Sequence, residues 1–288
     1  MNKAYVKIQG GLGNQLHGFA FGKAIEYHHN VKVIYDIYSG FVNDNFNRSF
    51  NLNKFSNIDL GETISYKNSF NLFFFKICSK LSQIFNRYLP IKYRKFIFEP
   101  IPYKYQDHLL KTNFLFNPYF IGYWATYKYY DFIKKQLILE LKPSSSNLLI
   151  ENKYLKLIIN SNSCFLHYRT YKEDVTVKHK SLYEYYIKAI NHINSKYNNT
   201  KIFVFSDDIE IARENLPINL YEFEFIENTN DYTDFFLMNQ CKHSIIADST
   251  FSWWAAWLDE NENKTVIAPN GLSPWGDDWA PDNWIKIN

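Results

Sequence analysis

Residues 241–258 read CKHSIIADSTFSWWAAWL. An apolar strand over Ser244–Ala247 runs into a hydroxyl-rich turn, Ser249-Thr250-Phe251-Ser252, and a Trp-heavy helix from Trp253 to Leu258 follows. A strand–turn–helix junction of this kind points free backbone N–H groups and small hydroxyls at one spot, which suits an anion. An ordinary connection with a capping serine has the same pattern, Trp253, Trp254 and Trp257 then being core. What stands elsewhere in the chain decides between the two.

Upstream the same alternation recurs. Strand patterns at Cys164–Tyr168, Ile202–Ser206, Tyr221–Ile226 and Thr265–Ala268 are separated by helical ones at Leu182–Ser195, Ile209–Asn215 and Tyr232–Gln240. Short β-rich runs alternating with helices predict a parallel sheet covered on both faces. The N-terminal end opens as a second such unit: strand Tyr5–Gln9, glycine turn Gly10–Gly13, helix Asn14–Asn30, strand Val31–Tyr35. Lys142-Pro-Ser-Ser-Ser-Asn147 reads as a linker. The expectation is an α/β protein of two Rossmann-like domains, 1–143 and 144–288, their parallel sheets facing across a cleft.

At 288 residues the chain has room for two domains, and 46% hydrophobic with 21% charged residues excludes wholesale disorder. A net charge of +3 gives no field strong enough to hold nucleic acid. Cys78, Cys164 and Cys241 are widely spaced, with neither zinc-ligand nor disulfide-framework spacing, as in a reducing compartment. No signal peptide or run of about 18 apolar residues is evident, so a cytoplasmic protein is expected. Residues 70–105 are basic and aromatic, with Lys76, Lys80, Arg87, Lys92, Arg94, Lys95 and Lys104 against the single acid Glu99. That stretch reads either as peripheral membrane contact or as an amphipathic helix packed on the first domain.

The chemistry-bearing residues cluster at strand ends. Gly10-Gly11-Leu12-Gly13-Asn14-Gln15 follows the first strand, where glycine lets a ligand approach the backbone. Gly11 and Gly13, with Asp36 closing the second strand, give part of a dinucleotide fingerprint, but Leu16 fills the place of the third glycine. Asn14 and Gln15 therefore read as hydrogen-bonding groups aimed into a cleft, or as helix caps. His167 and Arg169 lie two apart on a strand and so share a face at its carboxyl edge, where a guanidinium can clamp phosphate oxygens. Asp207 and Asp208 close the next strand and could hold ribose or guanine groups, Asp208 alternatively capping the helix after it. The turn Ser249, Thr250, Phe251, Ser252 lies at a third strand end.

In order and spacing, GGLGNQ, HYR followed by an acid, FVFSDD and DFFLMNQCKHSIIADSTFSWWAAWL resemble the motif series of the bacterial α-1,2-fucosyltransferases of glycosyltransferase family 11; GYWATYKYY at 122–130 is similar more loosely. The resemblance spans Tyr5 to about Pro269 and rests chiefly on the last block. It implies a GT-B architecture with 1–143 on the acceptor side and 144–288 binding the GDP-sugar. It further implies GDP-β-L-fucose as donor, a galactose-terminated or lipid-linked glycan as acceptor, and inversion at the anomeric carbon. Arg169 corresponds to the arginine on the donor pyrophosphate and His167 to the motif's histidine. Thr170 departs from the pattern, standing where a second arginine or small residue is usual, and Glu173 competes with Asp174 for the motif's acid. A base for the acceptor hydroxyl would be Asp174, Glu173 or His17. No Asp-x-Asp occurs, so no metal or other cofactor is expected.

Overall fold

Burial alternates residue by residue along the first strand, β1 (Lys3–Gln9), with Ala4, Val6 and Ile8 fully enclosed. That period of two marks a strand whose one face meets the core. The coordinates are a computed structural model that describes residues 3–42, 44–64, 69–141, 152–170, 178–270 and 278–288. The chain divides into two units, 1–142 with 275–279, and 143–274 with 280–288.

The first unit continues with α1 (Leu12–His29), β2 (Lys32–Gly40), β3 (Thr63–Ile64), α2 (Ser69–Phe85), β4 (Phe96–Phe98), α3 (Asp107–Lys111), β5 (Tyr119–Ile121) and α4 (Lys134–Leu141). Its five strands form one sheet in the order β3-β2-β1-β5-β4, every pair parallel. Helix α1 is buried almost all round, as a crossover helix between a sheet and other elements must be. Its approach to β2 depends on Gly22, where a Cβ would come within 2.4 Å of the Tyr35 hydroxyl. That hydroxyl donates to the Phe19 carbonyl at 3.0 Å.

The second unit comprises α5 (Lys153–Ile159), β6 (Asn162–Tyr168), α6 (Lys178–Lys196), β7 (Thr200–Ser206), α7 (Ile209–Asn215), β8 (Phe223–Phe225), α8 (Asp231–Asn239), β9 (His243–Ile245), α9 (Thr250–Leu258), β10 (Val266–Pro269) and β11 (Ile285–Ile287). Six strands pair in the order β11-β10-β9-β6-β7-β8, again all parallel. Central strand β6 is buried along nearly its whole length, as a strand covered on both faces must be. Trp253, Trp254 and Trp257 form one aromatic block inside this unit, joined by Trp284.

Both units are thus the parallel α/β layers expected. Strands β3, β4, β5 and β11, two or three residues each and outside the regular alternation of strand and helix patterns, were not anticipated. The linker stretch 142–147 lies outside the described residues. Helix α9 begins at Thr250 and not at Trp253, so the hydroxyl-rich residues are its cap and first turn.

His17 was a candidate base. It lies 1% exposed in α1, its Nδ1 2.6 Å from the Tyr130 hydroxyl, and burial pushes its pKa down to about 3. The placement corrects the expectation: a sealed imidazole that already has a partner anchors the 122–130 segment to α1. His243 is likewise lowered to about 4, by burial first and then by Lys196 and Lys242. In the unfolded chain both imidazoles take up a proton near pH 6.5, whereas in the folded chain they resist it until about 3 to 4. The unfolded state therefore binds more protons in that window, and stability falls as pH drops through it. The melting temperature is expected to decline from pH 7 to pH 5, with a shallower slope in His17→Gln; an unchanged slope in thermal scans would show that this imidazole is protonated in the fold.

Candidate functional site

The site is built where β6 and β7 end. Their register sets His167 opposite Phe205 and Tyr168 opposite Ser206, so the next residues along, Arg169 and Asp207, emerge side by side. Asp207 takes hydrogen bonds from the Thr170 backbone N–H at 2.9 Å and the Thr170 hydroxyl at 2.9 Å, while Arg169 Nη1 lies 3.2 Å from its Oδ2. One carboxylate so fixes both the backbone after β6 and the guanidinium. The Arg169 side chain remains 41% exposed, free at its far edge to meet a ligand.

A second brace comes from α6. The Tyr186 hydroxyl donates to the His167 carbonyl at 2.9 Å and receives the Arg169 N–H at 3.4 Å. Tyr186 is fully buried and its pKa is driven up, chiefly by burial, so the hydroxyl keeps its proton.

His167 ties the strand end to α9. Its Nδ1 lies 2.9 Å from Ser252 Oγ, which receives the Ala247 N–H at 3.3 Å and lies 3.4 Å from the Ser249 carbonyl. Burial foremost, with Arg169 adding to it, lowers the imidazole to about pH 3. It is therefore neutral at physiological pH, polar but uncharged beside a cation.

Helix α9 itself begins with Ser249 as N-cap, its hydroxyl receiving the Phe251 N–H at 3.3 Å, an arrangement that stabilises a helix start by about 1 kcal/mol. The first backbone bond to close the helix is Trp253 N–H to the Ser249 carbonyl at 3.1 Å. The N–H groups of Thr250 and Ser252 precede any i→i−4 partner inside the helix, and no acid occupies its first turn. Phe251 sits between the rings of His167 and Phe235, at 5.9 and 5.7 Å. Arginine, neutral histidine and positive helix end thus share one edge, an arrangement suited to stabilising an anion.

Of the sequence-based candidates, Arg169, His167, Asp207, Ser249, Thr250, Phe251 and Ser252 meet here, and Glu173 and Asp174 lie outside the described residues. Asp207 is engaged by its own chain, where it holds Arg169 and the Thr170 backbone. Asp208 takes the capping alternative, as the N-cap of α7 receiving the Ile211 N–H at 3.2 Å. Thr170 and Tyr186 escaped sequence reasoning. The only signal for Thr170 was its departure from the family pattern, and Tyr186 is hidden in an aromatic helix face.

The glycine turn belongs to the first unit. Gly10 has φ +78°, and Gly11 caps α1 with open space where a Cβ would stand. Gly13 is buried in the helix and Asn14 half-buried beside Gly10. Gln15 is fully buried, donating to the Gly10 and Ser49 carbonyls, each at 2.9 Å, and receiving the Asn51 N–H at 2.8 Å. It therefore fixes the 49–51 loop and does not face a ligand. Asp36 is also sealed, accepting from the Tyr38 and Ser39 backbone and the Tyr119 hydroxyl. That removes the acid a dinucleotide ribose would require. At the same sheet edge the Glu99 carboxylate, raised in pKa by burial, receives the Tyr123 N–H at 2.6 Å.

Among the described residues no group of three or more His, Cys, Asp or Glu side chains could hold a metal ion. A family model, glycosyl transferase family 11, matches residues 3–288. An Escherichia coli α-1,2-colitosyltransferase is 29% identical over all of this chain and 99% of its own length. The O-antigen biosynthesis glycosyltransferase WbnK of Escherichia coli is 36% identical over 46% of this chain and 48% of its own. Among solved structures, the NodZ α-1,6-fucosyltransferase soaked with GDP-fucose superposes with a TM-score of 0.54 at 12% identity, covering 96% of this chain and 97% of that one. That likeness concerns the fold, of the GT-B class.

The clamp has a direct energetic signature. In a double-mutant cycle of Thr170→Val and Asp207→Asn, thermal unfolding should show a coupling of about 0.5–3 kcal/mol. Additive effects would mean that the two side chains act separately.

Proposed function

The chain belongs to glycosyl transferase family 11, and from that premise we propose that it moves L-fucose from GDP-β-L-fucose to the 2-hydroxyl of a terminal galactoside, with inversion. The supporting observation is the second unit's edge, where Arg169, fixed by Asp207, stands with His167 and the first turn of α9. Cleaving a sugar–phosphate bond leaves negative charge on the departing GDP, and fixed donors aimed at that charge lower the barrier most. Arg169 supplies a full charge, the Thr250 and Ser252 N–H groups partial ones, and neutral His167 a hydrogen bond without competing for protons. These groups carry out the stabilisation without a metal ion in this reading. The acceptor hydroxyl loses its proton to Asp174 or Glu173 as the new glycosidic bond forms on the face opposite the phosphate.

A second donor is favoured by one observation, the full-length similarity to a colitosyltransferase. Colitose is fucose without its 3-hydroxyl, so the same phosphate machinery would serve both, and contacts to that hydroxyl would discriminate.

Incubation with GDP-fucose or GDP-colitose and a panel of β-galactosides should release GDP and give an α-1,2-linked product, undiminished by EDTA. Loss of activity in EDTA with recovery on Mn²⁺ would contradict the metal-free reading, and absence of transfer from either donor would contradict the assignment. Arg169→Lys should lower turnover by about two orders of magnitude, since lysine lacks the paired N–H groups. Near-normal turnover would remove Arg169 from the phosphate.

A further inference from the structure

Helix α2 is oriented against the usual rule. At 3.6 residues per turn, Phe73, Phe74, Ile77, Leu81, Ile84 and Phe85 fall within roughly one third of its circumference, and every one of them is exposed, at 62, 60, 39, 50, 54 and 58%. The opposite side carries Leu72, buried, and Phe75, whose ring packs on Phe96 and Tyr119 at 5.5 and 4.9 Å. The unit therefore holds the helix by a narrow seam and turns its broader apolar stripe to solvent. A soluble helix normally presents charge there, and six large apolar groups in contiguous array exceed the scattered exposure that is ordinary on a monomer. Tyr88 and Leu89, 71 and 43% exposed, extend the apolar surface past the helix end.

The charge around this stripe has one sign. Residues 69–98 contain Lys76, Lys80, Arg87, Lys92, Arg94 and Lys95 and no Asp or Glu. Lys80 and Lys76 border the stripe along one margin of the helix, and Arg87 lies over the Tyr88 ring at 4.8 Å. A protein partner selected by apolar shape alone would not need so one-sided a rim. With 17 residues the helix is about 25 Å long, and no described helix is long and apolar enough to cross a membrane. Apolar on one long face, cationic at its border and too short to span, it has the properties of a helix lying in a bilayer interface.

We propose that α2 docks this protein on an anionic phospholipid bilayer, its Phe73/Ile77/Leu81/Ile84 stripe sunk at the headgroup–acyl boundary and Lys76, Lys80 and Arg87 on lipid phosphates. Each cation near such a surface adds to the attraction, so binding depends on anionic lipid and weakens with salt. The proposal stands independently of the sugar donor.

The test is flotation of the full chain with phosphatidylcholine vesicles, with and without about one third phosphatidylglycerol. The wild type should float with the anionic vesicles and be released by high salt. Ile77→Glu/Leu81→Glu, on the exposed face, should lose binding by about tenfold or more while keeping the wild-type melting temperature and turnover on a soluble galactoside. Failure of the wild type to float, or flotation of the double variant as strong as wild type, would overturn the proposal. A stable dimer dissolved by the same substitutions, with no vesicle binding, would assign the stripe to a second copy instead.

Discussion

A single carboxylate organises the candidate site at the second unit's sheet edge. Asp207 receives two hydrogen bonds from Thr170 and the ion pair from Arg169, and it stands where the register of β6 against β7 delivers it. An arginine on a bare strand end would sample many rotamers, each costing entropy when a ligand arrives. Held by Asp207, with its own N–H on Tyr186, Arg169 is oriented before anything binds. Preorganisation of this kind makes a charge useful to a transition state, since no reorganisation then opposes the reaction.

His167 shows the complementary constraint. A cation there would compete with Arg169 and repel the positive end of α9, and burial prevents it by keeping the ring neutral. The imidazole thereby becomes a mechanical link, joining the strand end through Ser252 to the helix start. The Trp253, Trp254 and Trp257 block gives that helix a fixed footing, so the capping serine and the free N–H groups keep their positions.

How much of this was legible in the sequence follows from the range of each interaction. Strands β6 and β7 are seven residues long and mostly buried, and α7 is bounded by a capping Asp and a short apolar pattern, so their places could be read directly. Strands β3, β4, β5 and β11, two or three residues each, exist only because a neighbouring strand offers partners. Site residues at strand ends were visible because ligands gather there in parallel α/β sheets. Their roles were not. Asp207, Gln15 and Asp36 looked available to ligands but are engaged by backbone and side-chain partners, among them Thr170, Ser49 and Tyr119 from distant parts of the sequence, and Thr170 was an anomaly until Asp207 stood beside it. For α2 the sequence left membrane contact and packing on the first domain both open, because an apolar periodicity does not tell which side of a helix faces the protein.

The central claim is that Arg169 serves the β-phosphate of a nucleotide leaving group. Titration calorimetry of GDP against GMP measures it most directly, since the two ligands differ only in that phosphate. The account predicts that the wild type binds GDP about tenfold or more tightly than GMP and that Arg169→Ala binds both about equally. An Arg169→Ala protein that retains the full preference for GDP would contradict it.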